Sequence, residues 1–162
     1  MKKFLLLLLV SVSLAGCFKS DEIIGRSVFD IQEQYNRVVN LNALSVFQMD
    51  EEFVVVVANY EWIASKKATF SADRKNIDAV GLTLVKSSDL NQYVKTTLDE
   101  VQKSFGEFHV DIGSGFYIPA YITKDGFLIC FYEKNNVISS ILKWDLLTGE
   151  VVEEKDLLPV SK

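Results

Sequence analysis

Histidine occurs once in this chain, cysteine and proline twice each, and glycine only 8 times in 162 residues. One histidine and two cysteines exclude a disulfide framework and a histidine-rich metal centre. Two prolines and few glycines leave no room for a long proline- or glycine-rich linker. Positive charge is in deficit: 17 Lys and Arg against 22 Asp and Glu give a net charge of −5. A nucleic-acid surface needs clustered positive charge, so nucleic acid is not an expected partner. What the chain has is apolar substance. Hydrophobic residues make up 49% and aromatics 12%, too much for a disordered chain. The length suits one domain, or two small units sharing a core.

The longest apolar run lies at the N-terminus. Lys2 and Lys3 precede Phe4 to Val10, followed by Ser11, Val12 and Ser13, then Leu14-Ala15-Gly16-Cys17. The run is too short for a spanning helix, which needs roughly 20 apolar residues, and it has the shape of a secretory signal. Leu14 to Cys17 resembles the lipobox of bacterial lipoproteins. In that family the cysteine thiol receives diacylglycerol and the chain is cut just before it. The resemblance implies a signal peptide over 1–16, lipidation at Cys17 with fatty acyl chains such as palmitate, a tether over 17–26 and a globular part over 27–162. Losing Lys2 and Lys3 leaves 15 basic residues against 22 acidic ones, a net of −7. Several acyl chains hold a protein stably on a bilayer where one is marginal. Phe18, rather than aspartate, follows the cysteine. In Gram-negative lipoproteins that favours the outer membrane, facing the periplasm.

Past the tether, Val28, Ile31, Tyr35, Val38 and Val39 recur at helical spacing, so a helix is expected over 27–39, with Ser27 and Asp30 at its start. Phe53 to Trp62 (FVVVVANYEW) is β-branched and aromatic and reads as a strand. Lys67 to Ser71 reads as a short partner strand, Ala72 to Asn76 as a turn, and Ile77 to Val85 as a further strand with a bulge at Gly81. Ser88 to Tyr93 suggests a short helix. Thr97-Leu98-Asp99-Glu100 has the form of a capping box, and Gly106 suits the left-handed residue that ends the helix. Three strand-like runs follow, Phe116 to Thr123, Phe127 to Glu133 and Val137 to Asp145. Turns are expected at Lys124-Asp125-Gly126 and Asn135-Asn136. Val151 and Val152 extend the edge. The fold class is therefore α+β, with helices packed on an antiparallel β-meander. The two helix starts lie about 70 residues apart, so the chain reads either as two tandem related units, 27–90 and 91–162, or as one domain without duplication.

Thr97 to Gly106 resembles a helix that recurs in small bacterial lipoproteins of the SmpA/OmlA outer-membrane assembly type, and in the β-lactamase inhibitory protein fold. Gly113-Ser114-Gly115, Tyr121 and Lys124-Asp125-Gly126 resemble the first hairpin of the meander that follows it there. The similarity covers about residues 90 to 155. It departs from the pattern at Phe108, where a proline commonly stands. It implies an α+β fold and a protein-binding role, with no catalytic residue to carry over.

The chemistry-bearing residues are sparse. His109, near Asp111 and Ser114, lacks the G-x-S-x-G setting of a hydrolase nucleophile and reads as a loop residue, solvated or capping a carbonyl. Cys130 reads as a small buried hydrophobe. Asp73, Asn76 and Asp78 do not follow calcium-loop spacing and read as a polar turn. No cofactor or metal site is expected. The aromatics of the second half are the most suggestive group. Phe127, Ile129 and Phe131 alternate with Leu128, Cys130 and Tyr132, so both faces of that strand are apolar. One face packs on the helices. The other is either covered by the first half or left open as a protein-binding patch. The candidate binding face comprises Phe116, Tyr117, Tyr121, Phe127 and Tyr132. The functional expectation is a non-enzymatic, lipid-anchored envelope protein that binds an unidentified envelope protein. An inhibitor or immunity-type role, or a small apolar or cell-wall ligand, is the alternative.

Replacing the modified thiol tests the anchor directly. Cys17→Ser is expected to leave the leader uncleaved at this site and to abolish acyl labelling, read by labelled palmitate and by mass spectrometry of the N-terminus.

Overall fold

A computed structural model describes residues 22–93 and 95–156. The signal segment, Cys17 and residues 157–162 lie outside the described residues. No helix among the described residues is long and apolar enough to cross a membrane.

The chain is already part of the fold at Ile23, which is fully buried. Gly25 N–H donates to the Ala64 carbonyl at 2.8 Å, and Ala64 N–H donates back to Arg26 at 2.8 Å. Residues 23–26, expected to belong to a tether, are held in the fold by one buried apolar side chain and two backbone bonds. Ser27 then caps α1 (Val28–Gln34), its hydroxyl accepting from Phe29 N–H. The helix stops at Gln34, not at Val39. Tyr35 turns to extended backbone, and Val38 and Val39 belong to a strand.

Five antiparallel strands follow in sequential order: β1 (Asn36–Leu41), β2 (Leu44–Met49), β3 (Glu52–Ala58), β4 (Ala64–Ser71) and β5 (Asn76–Val80). Asn42, Asp50 and Arg74 adopt positive φ in the connections, a conformation that asparagine and aspartate tolerate better than most residues. Gly81 ends β5 with φ of 71°. The expected bulge lies elsewhere, at the Thr69/Phe70 pairing with β5.

The chain then crosses over. Val85 makes a parallel bridge to Thr123. The short helix α2 (Ser87–Leu90) and a 3-10 turn (Asn91–Tyr93) lead to α3 (Leu98–Phe105). Both bonds of the expected capping box are present in α3, and Gly106, with φ of 84°, donates its N–H to Gln102. The second sheet is again a sequential antiparallel meander: β6 (Val110–Asp111), β7 (Pro119–Ile122), β8 (Phe127–Lys134), β9 (Val137–Asp145) and β10 (Val151–Asp156). Asn135 and Asn136 both take positive φ, as a two-residue hairpin turn of the right twist requires.

The two sheets pack face to face. Leu44, Val46, Val55 and Val57 of the first share one buried cluster with Ala120, Ile122, Leu128 and Cys130 of the second. The alternate residues point outward. Phe47, Val54 and Val56 meet Ile23, Val28 and Ile31. Tyr121, Ile129 and Phe131 meet Leu90, Leu98 and Val101. The continuous Val54-Val55-Val56-Val57 run is thus the signature of a central strand buried on both faces.

An ionic contact crosses the sandwich. The Arg74 guanidinium, in the β4–β5 turn, bonds both carboxylate oxygens of Asp145 at the end of β9, one of them at 3.0 Å. Asp145 also accepts the N–H groups of Leu147 and Thr148. Burial alone would raise the Asp145 carboxyl, but the Arg74 bond and these two amides hold it below the usual carboxylate value. Asp145→Ala is expected to destabilise by about 2 kcal/mol, since it strands the two amides as well as Arg74. Arg74→Met should cost less. Urea unfolding of the two variants and of the double variant gives the coupling between them.

Candidate functional site

The five aromatics of the expected binding face do not share one surface. Tyr121 is fully buried. Its hydroxyl donates to the Gly106 carbonyl at 2.5 Å, and its ring sits 4.8 Å from Phe108 and 5.1 Å from His109 between centroids. Burial pushes its phenol up to about 12. Tyr132 is half-buried against the inter-sheet core. Phe127 is half-buried too, with the Lys143 ammonium 4.0 Å and the Arg74 guanidinium 4.9 Å from its ring centroid. Of the two alternatives for the faces of β8, the covered one holds: the first sheet lies against one side and the helical segments against the other. Only Phe116 and Tyr117 stay exposed, at 67% and 57%.

These two lie in the loop between β6 and β7, where the sequence suggested an earlier start of the strand. Asp111 explains the difference. Its Oδ1 accepts from both Gly113 N–H and Ile118 N–H at 2.9 Å. Ile112 N–H closes the loop by donating to Ile118 at 3.0 Å. A carboxylate that collects two amides in this way competes with the ladder and favours a turn. Gly113 is required by close approach: a Cβ there would lie 1.6 Å from the Phe116 carbonyl oxygen. Asn42, in the β1–β2 turn, donates its Nδ2 to the Gly113 carbonyl at 2.7 Å. The loop is thus pinned from within and from the other sheet. Partial burial, and then the Asp111 carboxylate, raise the Tyr117 phenol.

Next to this loop is a cleft of about 420 Å³ between the β1–β2 turn, the β3–β4 hairpin and β6. Asn42, Tyr60, Trp62, Lys66, His109 and Asp111 are among its walls. The hairpin is braced by Asn59, whose Oδ1 accepts from Glu61 and Ile63 N–H, each at 3.0 Å. Trp62 sits at φ of 61°, a strained position for a large side chain. Its N–H bonds the Asn59 carbonyl at 3.0 Å.

His109 is buried rather than solvated. Its Nδ1 accepts from Ile122 N–H at 2.9 Å, so the proton resides on Nε2, which donates to the Thr83 carbonyl at 3.1 Å. Capping a carbonyl is therefore its role. Both nitrogens are engaged with backbone, and neither is left to act as a general base. Asp111 is committed to its loop. Cys130 is buried in the inter-sheet core, where burial pushes its thiol up. Asp73 pairs with Lys75, and Asp78 with Lys67 at 2.7 Å. The β3–β4 hairpin is what the sequence pattern hides: Tyr60 and Trp62 have strand composition, and Asn59 is the turn signal among them.

No family model, curated protein or solved structure matches the chain.

Loss of solvation pushes His109 down to about 4; the Thr83 bond opposes this and the Lys66 charge adds to it. The unfolded chain, with the ordinary value of 6.5, therefore binds more protons than the folded one between those values. Stability is complete above pH 6.5 and is lost as pH falls toward 4. About 2 kcal/mol is expected to go by pH 5. The depressed carboxylates act only at lower pH. Urea midpoints at pH 7 and pH 5 check this, and His109→Gln should remove most of the difference.

Proposed function

We propose that the protein is a non-enzymatic, lipid-anchored lipoprotein of the cell envelope that acts by binding another envelope protein through the 112–118 loop. In a Gram-negative host it would reside on the outer membrane, facing the periplasm. The observation that carries the binding role is the pinned exposure of Phe116 and Tyr117. Two adjacent aromatics stand in water on a loop fixed by Asp111, Gly113 and Asn42. Large rings held in place lose little conformational freedom on binding, and such anchors dominate protein interfaces. The anchor rests on the signal pattern and on Cys17.

The two halves are proposed to be related units, each a helical segment leading into a sequential five-stranded meander. The helix-glycine-hairpin resemblance to the assembly lipoproteins and the inhibitory-protein fold supports an interaction role. The cleft beside the loop favours a second reading, a small ligand. Its asparagine, lysine and aspartate walls suit a polar ligand better than an apolar one.

Photo-crosslinking from envelopes tests the loop. Phe116→Ala with Tyr117→Ala is expected to abolish the crosslinked partner while leaving the urea midpoint unchanged. Gly113→Ala, which forces the loop open from inside, should also abolish the crosslink with both aromatics still present, at the cost of a lowered urea midpoint. An unchanged crosslink pattern in both variants would overturn the reading.

A further inference from the structure

A second exposed apolar patch lies where the chain enters the fold. Ile24 is 37% exposed, Phe29 57%, Tyr60 90% and Trp62 40%. Three contacts join the segment that carries Ile24 and Phe29 to the hairpin that carries Tyr60 and Trp62. Val28 N–H donates to the Trp62 carbonyl at 2.9 Å. Ser27 bridges Ile63. The Phe29 and Trp62 rings stand 6.1 Å apart. The N-terminal segment is thus stapled to the β3–β4 hairpin, which the Asn59 brackets keep rigid.

We propose that Ile24, Phe29, Tyr60 and Trp62 form an interfacial foot that rests the domain on the same bilayer that holds the Cys17 lipid. The inference rests on the lipid-anchor reading. Chain length argues for this occupant. Cys17 and the buried Ile23 are six residues apart, so the lipidated atom lies within about 20 Å of the patch's own segment. A bilayer that close is the surface these side chains meet at the highest effective concentration. Their chemistry fits it. Tyrosine and tryptophan pair an apolar ring with a polar tip, and they collect at the headgroup level of membranes.

The charges beside the patch set the lipid type. Asp21 and Glu22 precede the patch, Asp30 follows Phe29 and Glu61 separates Tyr60 from Trp62, against Lys19 and Arg26 on the entering segment and Lys66 beside Tyr60 and Trp62, so the surroundings carry no net positive charge. Attraction to anionic lipid is therefore not the driving force. The foot enters a zwitterionic interface by ring burial, and its contact resists salt.

The full-length lipoprotein, isolated from membranes and reconstituted into phosphatidylcholine and phosphatidylethanolamine vesicles with brominated acyl chains, tests this. Trp144→Phe leaves Trp62 as the sole tryptophan. If that variant does not fold, subtraction of the Trp62→Phe spectrum from the wild-type one reads the same ring. The expected result is a blue-shifted Trp62 emission, quenched roughly twofold by the brominated lipid, as for a ring about 5–10 Å into the interface. The quenching should persist at high salt. Phe29→Asp with Tyr60→Asp should remove it while the protein still floats with the vesicles. Flotation with an unshifted, unquenched Trp62 overturns the foot and leaves the anchor standing. Loss of flotation shows that the anchor itself fails, and the foot falls with it. A blue shift without bromine quenching, growing with protein concentration, assigns the patch to a second copy of the chain and also overturns the proposal.

Discussion

A sheet that is apolar on both faces has no stable position at a protein surface. This constraint shapes the whole molecule. Each of the two meanders alternates between two sets of hydrophobic side chains, so each needs two covers. Facing one another supplies one cover to both sheets at once, through a core that runs from Val55 and Val57 to Leu128 and Cys130. The helical segments supply the other. Short helices suffice for this. Val28 and Ile31 of α1 and Leu98 and Val101 of α3 are the buried residues of their helices, and helices of seven or eight residues hold their shape through such packing rather than through propensity.

The same constraint explains what polar groups do inside. His109 and Tyr121 are spent on carbonyls left over at the ends of elements, Thr83 and Gly106. Asp111 and Asp145 each collect two backbone amides. All four are committed to backbone partners, His109 and Asp111 while also lining the cleft beside the loop. The polar chemistry of these four side chains goes into fastening turns and element ends, and Phe116 and Tyr117 stand exposed on a loop so fastened.

The second half was legible in the sequence because its signals are local. A capping box, a glycine at positive φ and a pair of asparagines each specify a few residues, and all three stand where expected. The first half was less so. Val38 and Val39 fit helical spacing as well as strand alternation, and their strand identity comes from the pairing of β1 with β2, where Val39 faces Val46 and Val38 sits at the register shift between Arg37 and Val39, which no local pattern announces. The Leu44–Met49 strand is hidden in the sequence for the same reason. Phe116 and Tyr117 look like strand residues by composition. Their loop is the work of Asp111 reaching across two and seven residues, a tertiary choice that overrides β-propensity. Burial of Tyr121 was equally beyond reach, because the alternation of a strand tells which residues share a face and not what lies against that face.

Both sheets are built strictly from neighbours in sequence, β1 to β5 and then β6 to β10. The order of events during synthesis or export follows from this. A chain threaded from its N-terminus completes every backbone pairing of the first meander before any strand of the second has emerged. Only the inner face of that meander then waits, uncovered, for Ile118, Ala120 and Leu128 to arrive. The interval between those moments is the period in which a passing chaperone, or a second copy of the same half-made chain, has an apolar sheet to seize.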